Sequence, residues 1–272
     1  VALLLIEAGG TRSTWYLLAG GAVLSQYDGA GFNAATSRDR KLADAESALC
    51  ERADKAVVYL AGFDGSAEMS AAVSGLLGLD QVVCYSDLHA VWHAYDRRDG
   101  IFCLLGTGSQ SFSVVGGKFT VGQPSLGYLV SDEGSGYAMG RSFLQMYLYG
   151  RLPPNSLDAI AKTHDLGRAA ILESLYGKGS PATYVASFTH VLSTYRSEDW
   201  AREIIYDALE NFVDLRVACY PKTFGHEVYA AGGVAAAFRA ELAAVLERRG
   251  YRLAQVAQSP AKHLINHYLS HS

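Results

Sequence analysis

The sequence predicts an α/β fold, and three observations carry that prediction. Continuous apolar runs of strand length, such as Leu3-Leu4-Leu5-Ile6, alternate with segments of helical period. A strand, a glycine turn, a strand, a Gly-Gly turn and a third strand occur in that order twice, once from Ala2 and again from Gly100. Half of the 272 residues are hydrophobic and 18% are charged, which supports a sizeable core and argues against extended disorder.

The first meander joins strands Ala2–Ile6 and Thr14–Leu18 through Glu7-Ala8-Gly9-Gly10-Thr11, and Gly20-Gly21 turns the chain into Ala22–Tyr27. Asp39–Ala53 carries Leu42, Ala45 and Leu49 at helical spacing, and Ala56–Leu60 reads as a short buried strand. Helix Ser66–Leu77, strand Gln81–Tyr85 and helix Leu88–Tyr95 continue the alternation. The second meander places Gly106-Thr107-Gly108-Ser109 between Ile101–Leu105 and Ser111–Val115, with Gly116-Gly117 as its next turn. Helices are then expected at Gly136–Tyr149, Ser156–Thr163, Leu166–Leu175, Ala182–Thr194 and about Glu198–Cys219. Strand Glu227–Ala231 leads into Gly232-Gly233, helix Val234–Arg249 and, after Pro260, helix Ala261–Ser270. The repeat is one of architecture with little identity of residues. It places a boundary near Gly100, with domains 1–100 (joined by the terminal helix, about 261–272) and 101–260.

Charge and cysteine usage narrow the function classes. A net charge of −4 leaves no basic footprint for nucleic acid, and no apolar run approaches the roughly 20 residues of a membrane span. Val1–Ile6 is too short for a secretory leader, lacks basic residues before it and runs into Glu7, so a buried strand is expected there. Cys50, Cys84, Cys103 and Cys219 form no C-x-x-C pair, which disfavours a zinc or iron–sulfur site and fits reduced thiols in the cytoplasm.

Several segments carry chemistry. In Glu7–Ser13, consecutive glycines allow close approach to an anion and Thr11 and Ser13 add donors; a hairpin turn with no ligand explains the same residues. Gly106-Thr107-Gly108-Ser109 has the same character at the matching place in the second meander, as if two loops served one polyphosphate. Ala231-Gly232-Gly233-Val234 permits a flat ring or a phosphate near a helix start, or simply tight packing. Asp87 follows a strand and opens a helix, the place of a cap or of a general base for a hydroxyl acceptor. His89 and His93 share a helix face without a third metal ligand. The run Ser125–Gly136, with Asp132 and Glu133 ahead of small residues, is compatible with a helix start or with acceptors for sugar hydroxyls.

Together, Glu7–Ser13, Gly31-Phe32-Asn33, Asp87, Gly106–Ser109, Gly127–Gly136 and Gly232-Gly233 resemble, in order, the N-acetylglucosamine kinase and BadF/BadG/BcrA/BcrD-type ATPase family of the actin, sugar kinase and Hsp70 superfamily. Asp132-Glu133-Gly134-Ser135-Gly136 after Gly127-Tyr128 is the most specific part. The resemblance implies two ribonuclease-H-like (actin-like ATPase) domains with an ATP cleft between them. It implies ATP phosphates on Gly9, Gly10, Thr11, Gly106, Thr107 and Gly108, and adenosine against Gly232 and Gly233. It makes Asp87 the catalytic base, puts the amino sugar on Asn33, Thr107, Gln110, Gly127 and Asp132, and has Glu7 position Mg²⁺ through water. Three residues depart from the family pattern. Glu7 stands for an Asp, Gln110 for the Asn that usually follows Gly-Thr-Gly-Ser, and Leu126 for a Trp that lines the sugar site. The implied activity is an ATP-dependent kinase acting on N-acetylglucosamine or a related amino sugar. A BadF-type ATPase activator and a non-catalytic sugar or nucleotide sensor are the alternatives. The expected partner is a small sugar, with no nucleic acid and no membrane, and with a homodimer left open.

Overall fold

Leu3, Leu4, Leu5 and Ile6 are buried on both sides because the strand they form, β1 (Leu3–Ala8), is the middle of a five-stranded sheet. The sheet belongs to the first of two units into which the chain divides, Val1–Arg98 with Pro260–Ser272; the second unit is Asp99–Ser259. The computed structural model of the protein describes residues 1–10, 12–31, 40–96, 98–177 and 179–270.

In the first unit β2 (Arg12–Ala19) and β3 (Ala22–Ala30) run on from β1 as an antiparallel meander. On the other side β4 (Lys55–Leu60) and β5 (Val82–Ser86) add in parallel, giving the order β3-β2-β1-β4-β5. Parallel neighbours need crossovers, and α1 (Asp44–Cys50) and α2 (Ala67–Leu77) lie in them. Helix α3 (Asp87–Ala94) starts where β5 ends. Successive strand residues face opposite sides. Leu4, Ile6, Trp15, Leu17 and Val58 therefore pack with Leu49, Val73 and Leu77 of α1 and α2. Leu3, Leu5, Tyr16, Val57 and Tyr59 pack instead with Ala90 and Ala94 of α3 and with Ala261 and Leu264 of the terminal helix (Ala261–Ser270). The Tyr59 hydroxyl lies 2.7 Å from Nδ1 of His93 and 2.9 Å from the Tyr268 hydroxyl, so it links α3 and the terminal helix to the sheet.

The second unit repeats this plan. β6 (Gly100–Leu105), β7 (Ser109–Val115) and β8 (Lys118–Thr120) form the meander, and β9 (Glu227–Ala231) and β10 (Arg252–Ala257) add in parallel, in the order β10-β9-β6-β7-β8. The repeat read in the sequence is thus a repeat of topology. One sheet face carries Ile101, Cys103, Leu105, Val228 and Ala230 in a core with Phe143, Phe212, Phe238 and Val245. The other carries a cross-strand aromatic row, with Phe102 5.0 Å from Phe112 and 5.1 Å from Tyr229 between ring centroids. The core helices are α4 (Gly136–Leu148), α5 (Pro154–Ala161), α6 (Arg168–Tyr176), α7 (Pro181–Ser187), α8 (Thr189–Thr194), α9 (Asp199–Phe212), α10 (Gly233–Ala237) and α11 (Arg239–Arg248).

Four expectations are corrected. The helix expected over Asp39–Ala53 begins at Asp44, with Asp39 outside the described residues. Ala182–Thr194 is two helices meeting at Phe188, and Val234–Arg249 is two meeting at Phe238; both phenylalanines are anchored in the core, which overrides the continuous helical period. The long helix expected to Cys219 stops being α-helical at Phe212 and continues as a π-helical turn, Val213–Val217. Strand β10 was not anticipated.

Candidate active site

In the first unit the site residues gather at one edge of the sheet. The parallel strands β1, β4 and β5 end level with one another, because Ala8 pairs with Leu60 and Leu60 with Ser86. Just beyond that row the chain makes the turn after β1 and enters α3 after β5. These two points are two strand spacings apart, about 10 Å. In the turn, the Gly9 N–H donates to the Arg12 carbonyl at 3.0 Å. Neither Gly9 nor Gly10 has a left-handed backbone, and a Cβ on Gly10 would meet nothing within 4 Å. The fold itself therefore makes no demand for glycine at position 10. Thr11 and Asn33 lie outside the described residues.

Glu7 continues the row of Leu3 and Leu5, on the sheet face that carries α3. Its charge adds to burial in raising the Tyr16 hydroxyl above its ordinary pKa. Asp87 is the first residue of α3, on that same face and edge. Burial pushes its carboxyl up to about 6, against the pull of the Leu88 and Asp87 backbone N–H groups. A carboxyl poised there is a base at neutral pH that still holds a proton readily. His93 is hydrogen-bonded to Tyr59, and His89 Nδ1 lies 2.8 Å from Ser86 Oγ. Among the described residues no group of three or more His, Cys, Asp or Glu is placed to hold a metal. Glu7 and Asp87 do share one edge, and Mg²⁺ bound with nucleotide phosphates needs only one or two carboxylates. All four cysteines are free thiols, and burial pushes Cys50 and Cys84 up to about 11, away from thiolate chemistry.

In the second unit three separated segments meet. The turn after β6 closes with Gly106 N–H to the Gly108 carbonyl at 2.9 Å. It is docked on the start of α4, whose Gly136 and Tyr137 N–H groups donate to the Gly106 and Thr107 carbonyls at 2.8 and 3.1 Å. Ser109 Oγ donates to the Glu133 carbonyl at 2.6 Å, and Ser135 caps α4 by accepting from Ala138 N–H. Asp132 is only 7% exposed and has a left-handed backbone with φ of 69°, a conformation that non-glycine residues adopt at a cost. Its Oδ1 accepts from Ser125 Oγ at 2.7 Å, and its Oδ2 lies 2.7 Å from where a Cβ on Gly108 would stand. Glycine at 108 thus lets this carboxylate lie against the turn. The third segment arrives at Gly232, where a Cβ would overlap the Leu105 carbonyl.

The structure therefore brings Gly106, Thr107, Gly108, Asp132 and Gly232 into one place. Gly233 opens α10 with open space around it. Gly127 is left-handed at φ 86°, and its carbonyl accepts from Val130 and Ser131, at the centre of an exposed loop in which Leu126 is 78% exposed. Gln110 turns its Oε1 back to the Ser111 N–H at 2.9 Å. Residue spacing gave no warning of Ser125 as partner of Asp132 or of Arg216, whose Nε donates to Glu133 Oε2 at 2.7 Å. The one signal for Arg216 is a charge within the largely apolar segment Phe212-Val213-Asp214-Leu215-Arg216-Val217, which Asp214 shares. No helix among the described residues is long and apolar enough to cross a membrane.

No protein-family model matches the chain, and no curated protein matches it at a significant level. Solved structures do. A candidate N-acetylglucosamine kinase from Porphyromonas gingivalis is 26% identical with a TM-score of 0.85, over 98% of this chain and 99% of that one. A second candidate N-acetylglucosamine kinase, from Chromobacterium violaceum, is 22% identical with a TM-score of 0.73, over 97% of each chain. A ROK family glucokinase from Streptomyces griseus, solved with glucose and AMPPNP, is 17% identical with a TM-score of 0.55, over 98% of this chain and 97% of that one. The two-unit α/β architecture of this chain is the sugar-kinase fold, and the family resemblance read from the sequence is borne out.

Proposed function

Proceeding from that fold, we propose that the chain is an ATP-dependent kinase that phosphorylates a hydroxyl of a small sugar, with N-acetylglucosamine or a close amino-sugar relative as acceptor. The observation that carries the reading is Asp87, a carboxyl poised near 6 at the strand edge that also bears the first glycine turn. Full-length likeness to a candidate N-acetylglucosamine kinase supports the choice of acceptor.

In the proposed reaction the sugar hydroxyl gives its proton to the Asp87 carboxylate as its oxygen bonds to the terminal phosphorus of ATP. The bond from that phosphorus to the bridging oxygen breaks and ADP leaves. Gly9, Gly10 and Thr11, with Gly106, Thr107 and Gly108, are assigned to the phosphates, and Gly232 and Gly233 to the adenosine. Asn33, Thr107, Gln110, Gly127 and Asp132 are assigned to the sugar, for which the buried Asp132 carboxylate is an acceptor already aligned by Ser125. Glu7 would hold Mg²⁺ through water, and the ion would neutralise phosphate charge. The use of ATP as donor supports a cytoplasmic setting for the reaction.

A coupled ADP-release assay across N-acetylglucosamine, glucosamine, N-acetylmannosamine and glucose tests the reading. ADP release that depends on an amino sugar is the expected result, and release indifferent to every sugar sinks it. The pH profile adds a second check. The base must be ionised, so kcat/KM is expected to fall about tenfold per pH unit below the Asp87 pKa and to level off above it. The bend is expected near 6. A profile still flat at pH 5 contradicts the assignment of the base.

A further inference from the structure

Arg216 is 3% exposed, and its guanidinium is spent on one neighbourhood. Nε donates to Glu133 Oε2 at 2.7 Å, and Nη1 donates to the Gln123 and Pro124 carbonyls at 3.1 and 2.9 Å. The residue sits on the π-helical turn Val213–Val217, an irregularity that is rare and concentrates at functional sites. That turn is fixed in its own right, since Ser111 Oγ of β7 donates to the Arg216 carbonyl at 2.6 Å. Close by, the Tyr220 hydroxyl accepts from Gly122 N–H at 3.0 Å. The chain is thus gripped at 122–124 and again at Glu133. Between the grips lies the loop 125–132, which carries Gly127 and Asp132 and exposes Leu126, Leu129 and Val130.

We infer that Arg216 is a positioning residue: by tying both ends of the 125–132 loop to one guanidinium, it sets the geometry with which Asp132 meets the acceptor. The loop exposes three large apolar side chains and reaches the core side only through Tyr128, whose ring lies 4.5 Å from that of Tyr137 on α4, so the ties at its two ends carry much of its order. The fork of an arginine can serve a carboxylate and two carbonyls at once, which a lysine ammonium cannot do in the same fixed plane. The part of this inference that concerns the acceptor rests on the kinase reading above.

Hydrogen exchange and kinetics of Arg216→Met, Arg216→Lys and a control, Val245→Ala, test it on the whole chain. Four loop amides are hydrogen-bonded and report directly: Leu126 to Ser131 Oγ, Gly127 to Ser125 Oγ, and Val130 and Ser131 to the Gly127 carbonyl. In Arg216→Met they are expected to exchange at least about tenfold faster while β6 and α11 amides keep their rates, with Arg216→Lys in between. Val245 is a fully buried residue of α11, so its truncation lowers the melting temperature without moving those four amides. In the active enzyme, Arg216→Met is expected to raise the acceptor KM about tenfold with the ATP KM nearly unchanged. Wild-type exchange in Arg216→Met, or equal acceleration in Val245→Ala, overturns the positioning role. Faster loop exchange with an unchanged acceptor KM overturns the link to the acceptor. Faster loop exchange in a chain that turns over no sugar at all upholds the positioning role and removes the kinase reading instead.

Discussion

Replacing Asp87 with Asn is expected to lower turnover by about two to four orders of magnitude, the usual worth of a positioned general base. The amide keeps the shape of the side chain but cannot take the proton from the attacking hydroxyl. ATP binding, followed by calorimetry, is expected to persist, since the phosphates are assigned to the glycine turns. Stability should move in the opposite direction from activity. The folded-state pKa of Asp87 is raised above its ordinary 3.8 by burial, so the folded protein binds that proton more tightly than the unfolded chain does. The ionised carboxylate therefore opposes folding, and the penalty grows as pH rises from about 4 through 6. Asp87→Asn removes it. The variant should melt at or above the wild-type temperature at pH 7, and that advantage should vanish as pH falls towards 4. Undiminished turnover in the variant would remove Asp87 from the mechanism.

Gly232→Ala and Gly233→Ala are expected to part company although they are neighbours. Gly232 has φ of 122° and ψ of 163°, a region open to glycine alone, and a Cβ there overlaps a backbone carbonyl at the foot of the second turn. Backbone strain and overpacking together are expected to remove about 3–5 kcal/mol. In a unit of this size that is a fall in melting temperature of about 10 °C or more, measurable by thermal unfolding. Gly233 opens a helix with nothing within 4 Å of a Cβ, so alanine there is expected to leave the fold intact or to stabilise it by up to about 1 kcal/mol. If adenosine lies against it as assigned, the same methyl raises the ATP KM. Equal melting temperatures for the two variants would contradict the packing at Gly232.

What was legible in the sequence follows from the range of the interactions involved. The apolar run at Leu3–Ile6, the strand before Asp87 and the paired glycine turns are written in consecutive residues, and the sheets form where those runs stand. The breaks at Phe188 and Phe238 were not legible, because each is made by a buried ring anchoring the chain against a core that local period cannot report. Strand β10 has only a weak alternation and half-buried side chains, so nothing in Arg252–Ala257 announces a strand beyond its pairing with β9. The second-unit site was half legible. The run Asp132–Gly136 stood out, yet it was open to reading as a helix start stabilised by its acids. In the structure that start falls to Ser135, while Asp132 turns left-handed against Gly108. Arg216 and Glu133 are 83 residues apart and obey no spacing rule.

The terminal helix has a consequence for how the protein is made. Leu264 and Ala261 close over Leu3, Leu5, Val57 and Tyr59, residues that leave the ribosome long before them. Throughout synthesis of the whole second unit, that side of the first sheet has α3 as its cover and lacks the terminal helix. The second unit is continuous in sequence and can complete itself in passing. The first unit therefore finishes after the second although it began first, its sheet face completed only when Tyr268 reaches Tyr59.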